Sequence, residues 1–286
     1  MSARSVLVSV DADGIAVVTL NRPEVHNAFD DRLIAALTVE LRKLDADARV
    51  RAVVIAGNGK SLSAGADLNW LKRVAKYSDA DNLKDAMALA EMLHVLYTLS
   101  KPTVARVHGP AYGGGVGLVC CCDIAIATRE AVFAFSEVRL GLIPGTISPY
   151  AVNAIGERMA RRYFLTGERI DAGEAFRLGL VHDIAEEEEL NARIGQVLFE
   201  LYKGGPHALA AAKELIRAVA RSRLDQDMVA DTARRFAAVR ASVEGREGIA
   251  AFLDKRAAAW TARAKPKTGT AKVAKGAKET RKRNKA

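Results

Sequence analysis

Three short stretches carry residues suited to holding and reprotonating an activated carbonyl. Ser61–Trp70 reads SLSAGADLNW. Small residues around Gly65 let backbone approach a ligand closely, and the segment resembles a helix start, where N–H groups lack intrahelical acceptors. Alone, it is equally a tight turn. His108–Ala127 reads HGPAYGGGVGLVCCCDIAIA, with Gly113, Gly114 and Gly115 between an apolar strand and an apolar helix. It again offers unhindered amides at a positive helix end. A phosphate loop would need Gly-Lys-Ser/Thr after the glycines, and Val116-Gly117-Leu118 supplies neither cation nor hydroxyl. A dinucleotide fingerprint would need an acid on a following strand, which is missing. An oxyanion or a carbonyl is the better ligand.

The third stretch, Phe133–Gly145 (FAFSEVRLGLIPG), sets Glu137 among apolar and small residues ahead of a Gly/Pro turn. Desolvation raises a carboxylate's proton affinity and suits it to general acid–base work. Paired with Arg139 at the surface, the same residue would have no such role. Two amides from separate loops on one oxygen are what enolate-forming thioester chemistry requires, each donor contributing roughly 3–4 kcal/mol.

The elements that must position these residues are legible from periodicity and punctuation. Ser5–Val10 and Gly14–Leu20 read as a hairpin across Asp11–Asp13. Asp30 caps an expected helix with Leu33, Leu37, Leu41 and Leu44 at helical spacing. RAVVIAG ends a buried strand at Gly57, and a short helix is expected near Leu68–Val74. Asp79–Leu99 reads as a longer helix with Leu83, Met87, Ala90, His94 and Tyr97 on one stripe, stopped by Lys101-Pro102. Strands follow at Thr103–Val107 and Asp123–Ala127, flanking the Gly turn and a helix through Val119–Cys121. The alternation implies an α/β core of repeated ββα-like units. Beyond Glu186 the pattern is helical, over Leu190–Leu201, Ala208–Arg223, Asp225–Arg240 and Glu247–Arg263, with Glu186–Glu189 in a first helical turn.

Composition narrows the function classes. Half of the 286 residues are hydrophobic and 27% are charged, enough apolar mass for a sizeable core. No apolar run approaches the ~20 residues that span a bilayer. The N-terminus reads as the hairpin and not as a secretory leader, so a cytoplasmic location is expected. Cys120, Cys121 and Cys122 are consecutive and cannot converge on one ion; they read as small buried apolar residues, and no metal is implied. Residues 265–286 hold nine of the 43 Lys/Arg and one of the 34 acids, leaving 34 basic against 33 acidic residues elsewhere. The remainder is near neutral and argues against nucleic-acid binding by the core. Residues 264–286 read as a disordered, solubilising basic tail, or as one making weak, salt-sensitive contact with nucleic acid. His94, His108 and Ser136 are assigned no chemistry: Ser136 lacks a GxSxG elbow and a His/Asp partner.

LNRPEVHNAF (Leu20–Phe29), SAGADL, YGGGVGL, CDIAIA, FSEVRLGLIPG and RYFLTGERIDAGEAFRLGLV (Arg162–Val181) together resemble the crotonase (enoyl-CoA hydratase/isomerase) family in order and spacing, over about Ser5–Arg263. The resemblance implies a spiral of ββα units over residues 1–200, a helical trimerisation region over 201–263, and trimers or paired-trimer hexamers. It makes the Ala66 and Gly114 amides the oxyanion donors and Glu137 a catalytic glutamate. It also implies a substrate site lined by Ala66, Asp67, Leu68, Asn69 and Gly114, with Arg22–Ala28, including Val25 and Ala28, approaching the nucleotide end of coenzyme A. Coenzyme A arrives as part of the acyl-CoA thioester substrate, and no separate cofactor is implied.

One departure matters. The family's second hydratase glutamate falls on Gly117, and Asp123 reads as a structural residue. Isomerases of the family move one proton with a single carboxylate. GADLNWLKR, AYGGGVGLV and LGLIPGTISPY most resemble bacterial methylglutaconyl-CoA hydratase-type proteins of leucine and isoprenoid breakdown, in which a Gly here is not disqualifying. Trp70 and Leu71 would then border the acyl pocket. The expectation is therefore a hydratase of a short or branched 2-enoyl-CoA, with a double-bond isomerase as the alternative.

Overall fold

The computed structural model describes residues 4–220 and 222–261; the basic tail lies outside them. The chain begins with β1 (Val6–Val10) and β2 (Ile15–Leu20), an antiparallel hairpin. Its turn is made by Asp11, whose Oδ1 accepts the N–H groups of Asp13 and Ile15 at 2.9 Å. Gly14 closes it at φ +80°, where a Cβ would lie 2.3 Å from the Arg49 carbonyl.

Asp30 caps α1 (Asp31–Ala46) through Oδ1, which accepts the Leu33 N–H at 2.8 Å. Leu33, Ile34, Leu37, Leu41 and Leu44 are its buried face, each contributing about 1.5–3 kcal/mol on full burial. Next come β3 (Ala52–Gly57), α2 (Leu68–Val74), α3 (Asp79–Thr98), β4 (Thr103–Val107), β5 (Ala111–Tyr112) and α4 (Gly114–Cys121). Then β6 (Ile124–Thr128), β7 (Val132–Ala134), α5 (Ser148–Thr166), β8 (Ile170–Asp171), α6 (Ala172–Leu178) and β9 (Asp183–Ala185) follow, before α7 (Leu190–Lys203), α8 (Pro206–Val219), α9 (Gln226–Ala241) and α10 (Val243–Leu253).

The main sheet has the order β1-β2-β3-β4-β6-β9 and is parallel from β2 onward. Ala52 through Ala56 are all buried, as a parallel strand covered on both faces requires. A second small sheet, β5-β7-β8, lies beside it. Strand, short second-sheet strand, helix is the repeated unit: β4–β5–α4, then β6–β7–α5. This is the mixed α/β, crotonase-like architecture expected from sequence.

Some expectations are corrected. On α3 the buried residues are Met92, Leu93 and Leu96, while Leu83 and Met87 are exposed. Apolar residues occur on both sides of this helix, so periodicity alone chose the wrong face. Glu187–Glu189 form a turn before α7, with Glu189 at its N-cap position. The last α-helix among the described residues spans Val243–Leu253, opened by Ser242 Oγ accepting from Gly245 N–H at 2.9 Å. α7 packs Leu190 and Ile194 against Val54, Val104 and Ile126 of the sheet. α8 is tied to the sheet by buried Lys213, whose Nζ lies 2.7 Å from Asp123 Oδ2.

Candidate active site

The site forms where three loop segments run side by side as an extension of the small sheet. Ala64 N–H donates to His26 O (2.9 Å), Phe29 N–H to Gly65 O (2.6 Å) and Asp67 N–H to Phe29 O (2.8 Å). On the other side Leu62 N–H donates to Pro110 O (3.0 Å) and Tyr112 N–H to Ser63 O (2.9 Å). Gly113 N–H reaches Ala134 O at 3.0 Å, joining β7 to the set. Buried Ser63 Oγ braces the middle segment by donating to Asn27 O at 2.8 Å.

This ladder brings the two predicted amide donors onto adjoining backbones. A Cβ on Gly65 would lie 3.0 Å from Tyr112 O, and one on Gly113 would lie 3.9 Å from Gly65 Cα. Both glycines have positive φ, +86° and +50°, so close approach and backbone conformation each exclude a side chain. Among the described residues, the N–H groups of Ala66 and Gly114 have no hydrogen-bond acceptor. Gly114 is the first residue of α4, where the helix supplies none and the dipole is positive.

Glu137 opens a 3-10 turn, Glu137–Leu140, directly after β7. Its Oε1 would be 3.1 Å from a Cβ on Gly113, which puts the carboxylate at the same glycine turn. Glu137 Oε2 is buried with no hydrogen-bond partner, and burial pushes the carboxyl pKa up. Arg139 makes no ion pair with it among the described residues; its side chain lies instead against Gly167.

Position 117 is sealed. A Cβ there would lie 2.5 Å from Ile147 Cγ2 and 3.3 Å from Leu93 Cδ2, both from buried residues. The packing of α3, α4 and the entry to α5 leaves no room for a second acid. Asp123 Oδ2 accepts from Thr103 N–H (2.7 Å) and Oγ1 (2.8 Å) besides pairing with Lys213, so it serves the sheet.

The other predicted residues divide. Leu68 and Asn69 are exposed on the first turn of α2, next to exposed Ala66. The Asp67 side chain turns inward: Oδ1 caps α2 through the N–H groups of Asn69 (2.8 Å) and Trp70 (3.2 Å), and Oδ2 pairs with Arg22 at 2.8 Å. Val25 is half-buried in a 3-10 turn, and Ala28 is buried. Trp70 is buried, its Nε1–H donating to Asp85 Oδ1 at 3.1 Å, and Leu71 is half-buried. His94 is exposed and His108 Nε2 lies 3.0 Å from Gly59 O. Cys121 and Cys122 are buried, and burial pushes all three thiols well up.

Sequence reading missed Phe29 and Ile147. The Phe29 ring abuts Gly114, where a Cβ would meet Cδ2 at 3.1 Å. Phe29 had a signal, a large apolar residue in a polar loop ahead of a helix cap. Ile147 had none.

The enoyl-CoA hydratase/isomerase family model matches residues 11–263. An enoyl-CoA hydratase structure from Shewanella pealeana is similar at 40% identity and TM-score 0.87, covering 90% of this chain and 96% of that one. The 2,3-dehydroadipyl-CoA hydratase of Escherichia coli is 32% identical over 243 residues, 85% of this chain and 93% of its own. The 4-chlorobenzoyl coenzyme A dehalogenase-1 of an Arthrobacter species is 31% identical over 214 residues, 73% of this chain and 77% of its own.

Proposed function

The chain belongs to the enoyl-CoA hydratase/isomerase (crotonase) family, and from that premise we propose that it hydrates a short or branched 2-enoyl-CoA. The observation that carries the reading is the pair of acceptor-free amides, Ala66 and Gly114, on adjoining backbones with the Glu137 carboxylate at the same turn. The thioester oxygen takes both N–H groups, which stabilise it most as negative charge develops. Glu137 accepts a proton from water as the water oxygen bonds to C3. The C2=C3 electron pair moves toward the thioester, giving an enolate. Glu137 then returns the proton to C2, so water is added overall and the enzyme is regenerated. Its raised proton affinity suits both halves of that exchange. Coenzyme A is part of the substrate, and the scheme uses no metal or separate cofactor.

A second reading, double-bond isomerisation, is favoured by the sealed position 117. Acting on a 3-enoyl-CoA, Glu137 alone would take a proton from C2 and return it at C4, moving the double bond to C2=C3. Assays with crotonyl-CoA, 3-methylglutaconyl-CoA and a 3-enoyl-CoA separate the two. Consumption of the 3-enoyl-CoA alone, giving a 2-enoyl-CoA, would remove the hydratase reading. Likeness to methylglutaconyl-CoA hydratase-type sequences makes that branched acyl chain, with its one free carboxylate, the first substrate to try.

The proposal extends to a homotrimer or hexamer in the cytoplasm. Exposed Val229, Phe236, Ile249, Phe252 and Leu253 on α9 and α10 support self-association. No helix among the described residues is long and apolar enough to cross a membrane. Nucleic-acid contact through the basic tail remains a separate proposal, tested by RNA affinity at rising salt with and without residues 265–286.

A further inference from the structure

Arg22 lies in the stretch expected to approach the nucleotide, yet its guanidinium points inward. Its side chain is only 18% exposed. Nη1 donates to the Ala28 carbonyl at 2.7 Å and lies 3.1 Å from Asp30 Oδ2; Nη2 donates to Asp67 Oδ2 at 2.8 Å. The two carboxylates are not idle surface acids. Asp30 caps α1 through its other oxygen, and Asp67 caps α2 through its own. A single planar fork therefore joins two helix starts and the carbonyl before Phe29.

Between these anchors lies the Phe29–Ala66 bridge. Phe29 N–H donates to Gly65 O and Asp67 N–H to Phe29 O, one bond on each side of Ala66. The peptide plane carrying the Ala66 N–H is thus set by residues 65 and 67 together, and residue 67 is held by Arg22. Without the cation, Asp67 and Asp30 face each other unneutralised in a half-buried space. Buried carboxylates stripped of their partner move or protonate. Either response loosens the start of α2 and the amide immediately ahead of it.

We infer that Arg22 is a positioning residue of the oxyanion hole, holding the Ala66 amide in register through Asp67, Asp30 and the Ala28 carbonyl. The inference rests on the proposed use of Ala66 as a carbonyl donor. Arg22 touches no reacting atom in this scheme. Lysine is a poor replacement, because a single ammonium cannot present a rigid fork to acceptors on both sides.

The test uses full-length enzyme with butyryl-CoA labelled with 13C at the thioester carbonyl, a saturated probe that binds without turning over. In the wild type, binding lowers the carbonyl stretching frequency by difference infrared spectroscopy. Arg22→Gln moves the bound frequency back toward the free value and lowers kcat roughly 10- to 100-fold with KM little changed, as expected for a misplaced catalytic group. Arg22→Lys lies between the two and carries the test if Arg22→Gln does not fold. Asp67→Asn reproduces the loss, and combining it with Arg22→Gln adds little further. An unchanged carbonyl frequency in Arg22→Gln or Arg22→Lys overturns the inference. So does a raised KM at preserved kcat, which would mean a direct grip on coenzyme A. If binding leaves the wild-type carbonyl unshifted, the oxyanion reading itself fails.

Discussion

The two halves of this site are built in opposite ways. In the proposed mechanism the carbonyl-gripping half is backbone: Ala66 and Gly114, fixed by a ladder from residue 26 to residue 134 and by glycines that admit no side chain. The half proposed to handle protons is a single side chain, Glu137, in a short 3-10 turn with one carboxylate oxygen unpartnered among the described residues. Backbone donors are over-determined, so most nearby substitutions disturb them by displacement. A lone carboxylate carries its chemistry in one group, so replacing it removes the function outright.

The largest effect should therefore come from Glu137→Gln. It keeps shape and loses the base, so kcat should fall about 1,000-fold or more with acyl-CoA binding largely retained, read by steady-state kinetics and calorimetry. Retained turnover would sink the division of labour just drawn.

Gly113→Ala strikes both halves at once. Its Cβ would lie 3.1 Å from Glu137 Oε1 on a backbone at φ +50°. A fall in kcat of roughly 100-fold is expected, with a lowered melting temperature. Gly117→Glu tests whether the missing acid can simply be restored. Overpacking against Ile147 and Leu93 should cost about 1–3 kcal/mol in denaturant unfolding without raising turnover. Faster hydration in that variant would show that position 117 is open to the site.

The pH dependence sharpens the comparison further. In the proposed hydration the carboxylate is the form that accepts the water proton, and burial raises its pKa. The acid limb of kcat/KM should accordingly lie above the ordinary glutamate range and disappear in what activity Glu137→Gln retains. The stability linkage has the matching sign. A raised folded pKa means this group favours folding below its unfolded pKa and loses that contribution as pH rises through the folded one. Glu137→Gln should thus melt slightly higher than wild type at neutral pH and no higher in acid. The smallest effect belongs to deletion of residues 265–286, which should leave kcat and KM unchanged. Collapse of activity in an intact oligomer would overturn the bland reading of the tail.

Much of this was legible in the chain. Asp30 as a helix cap, the leucine stripe of α1 and the start of α2 at Leu68 follow from local rules, because caps and 3.6-residue periodicity are properties of the nearest few residues. Glu137 was legible as a candidate because its apolar neighbours sit beside it in sequence. Its pairing with Arg139 was an equally local possibility, and only the placement of Arg139 against Gly167 removed it.

The α3 face was misread because its apolar residues permit more than one stripe, and what packs above it comes from distant segments. Asp67 was expected to line the substrate site, yet its carboxylate is committed to Arg22, 45 positions away in sequence. No local pattern announces such a pair.

The sequence by itself determined the glycine turns, the caps, the strands and the one candidate acid, since these depend on steric freedom and local hydrogen bonding. Tertiary structure alone decided which free amides stand side by side, that Arg22 faces inward, and that Ile147 closes position 117. Those outcomes depend on contacts between residues tens of positions apart, whose geometry is set only when the two sheets and the helices α3, α4 and α5 pack together.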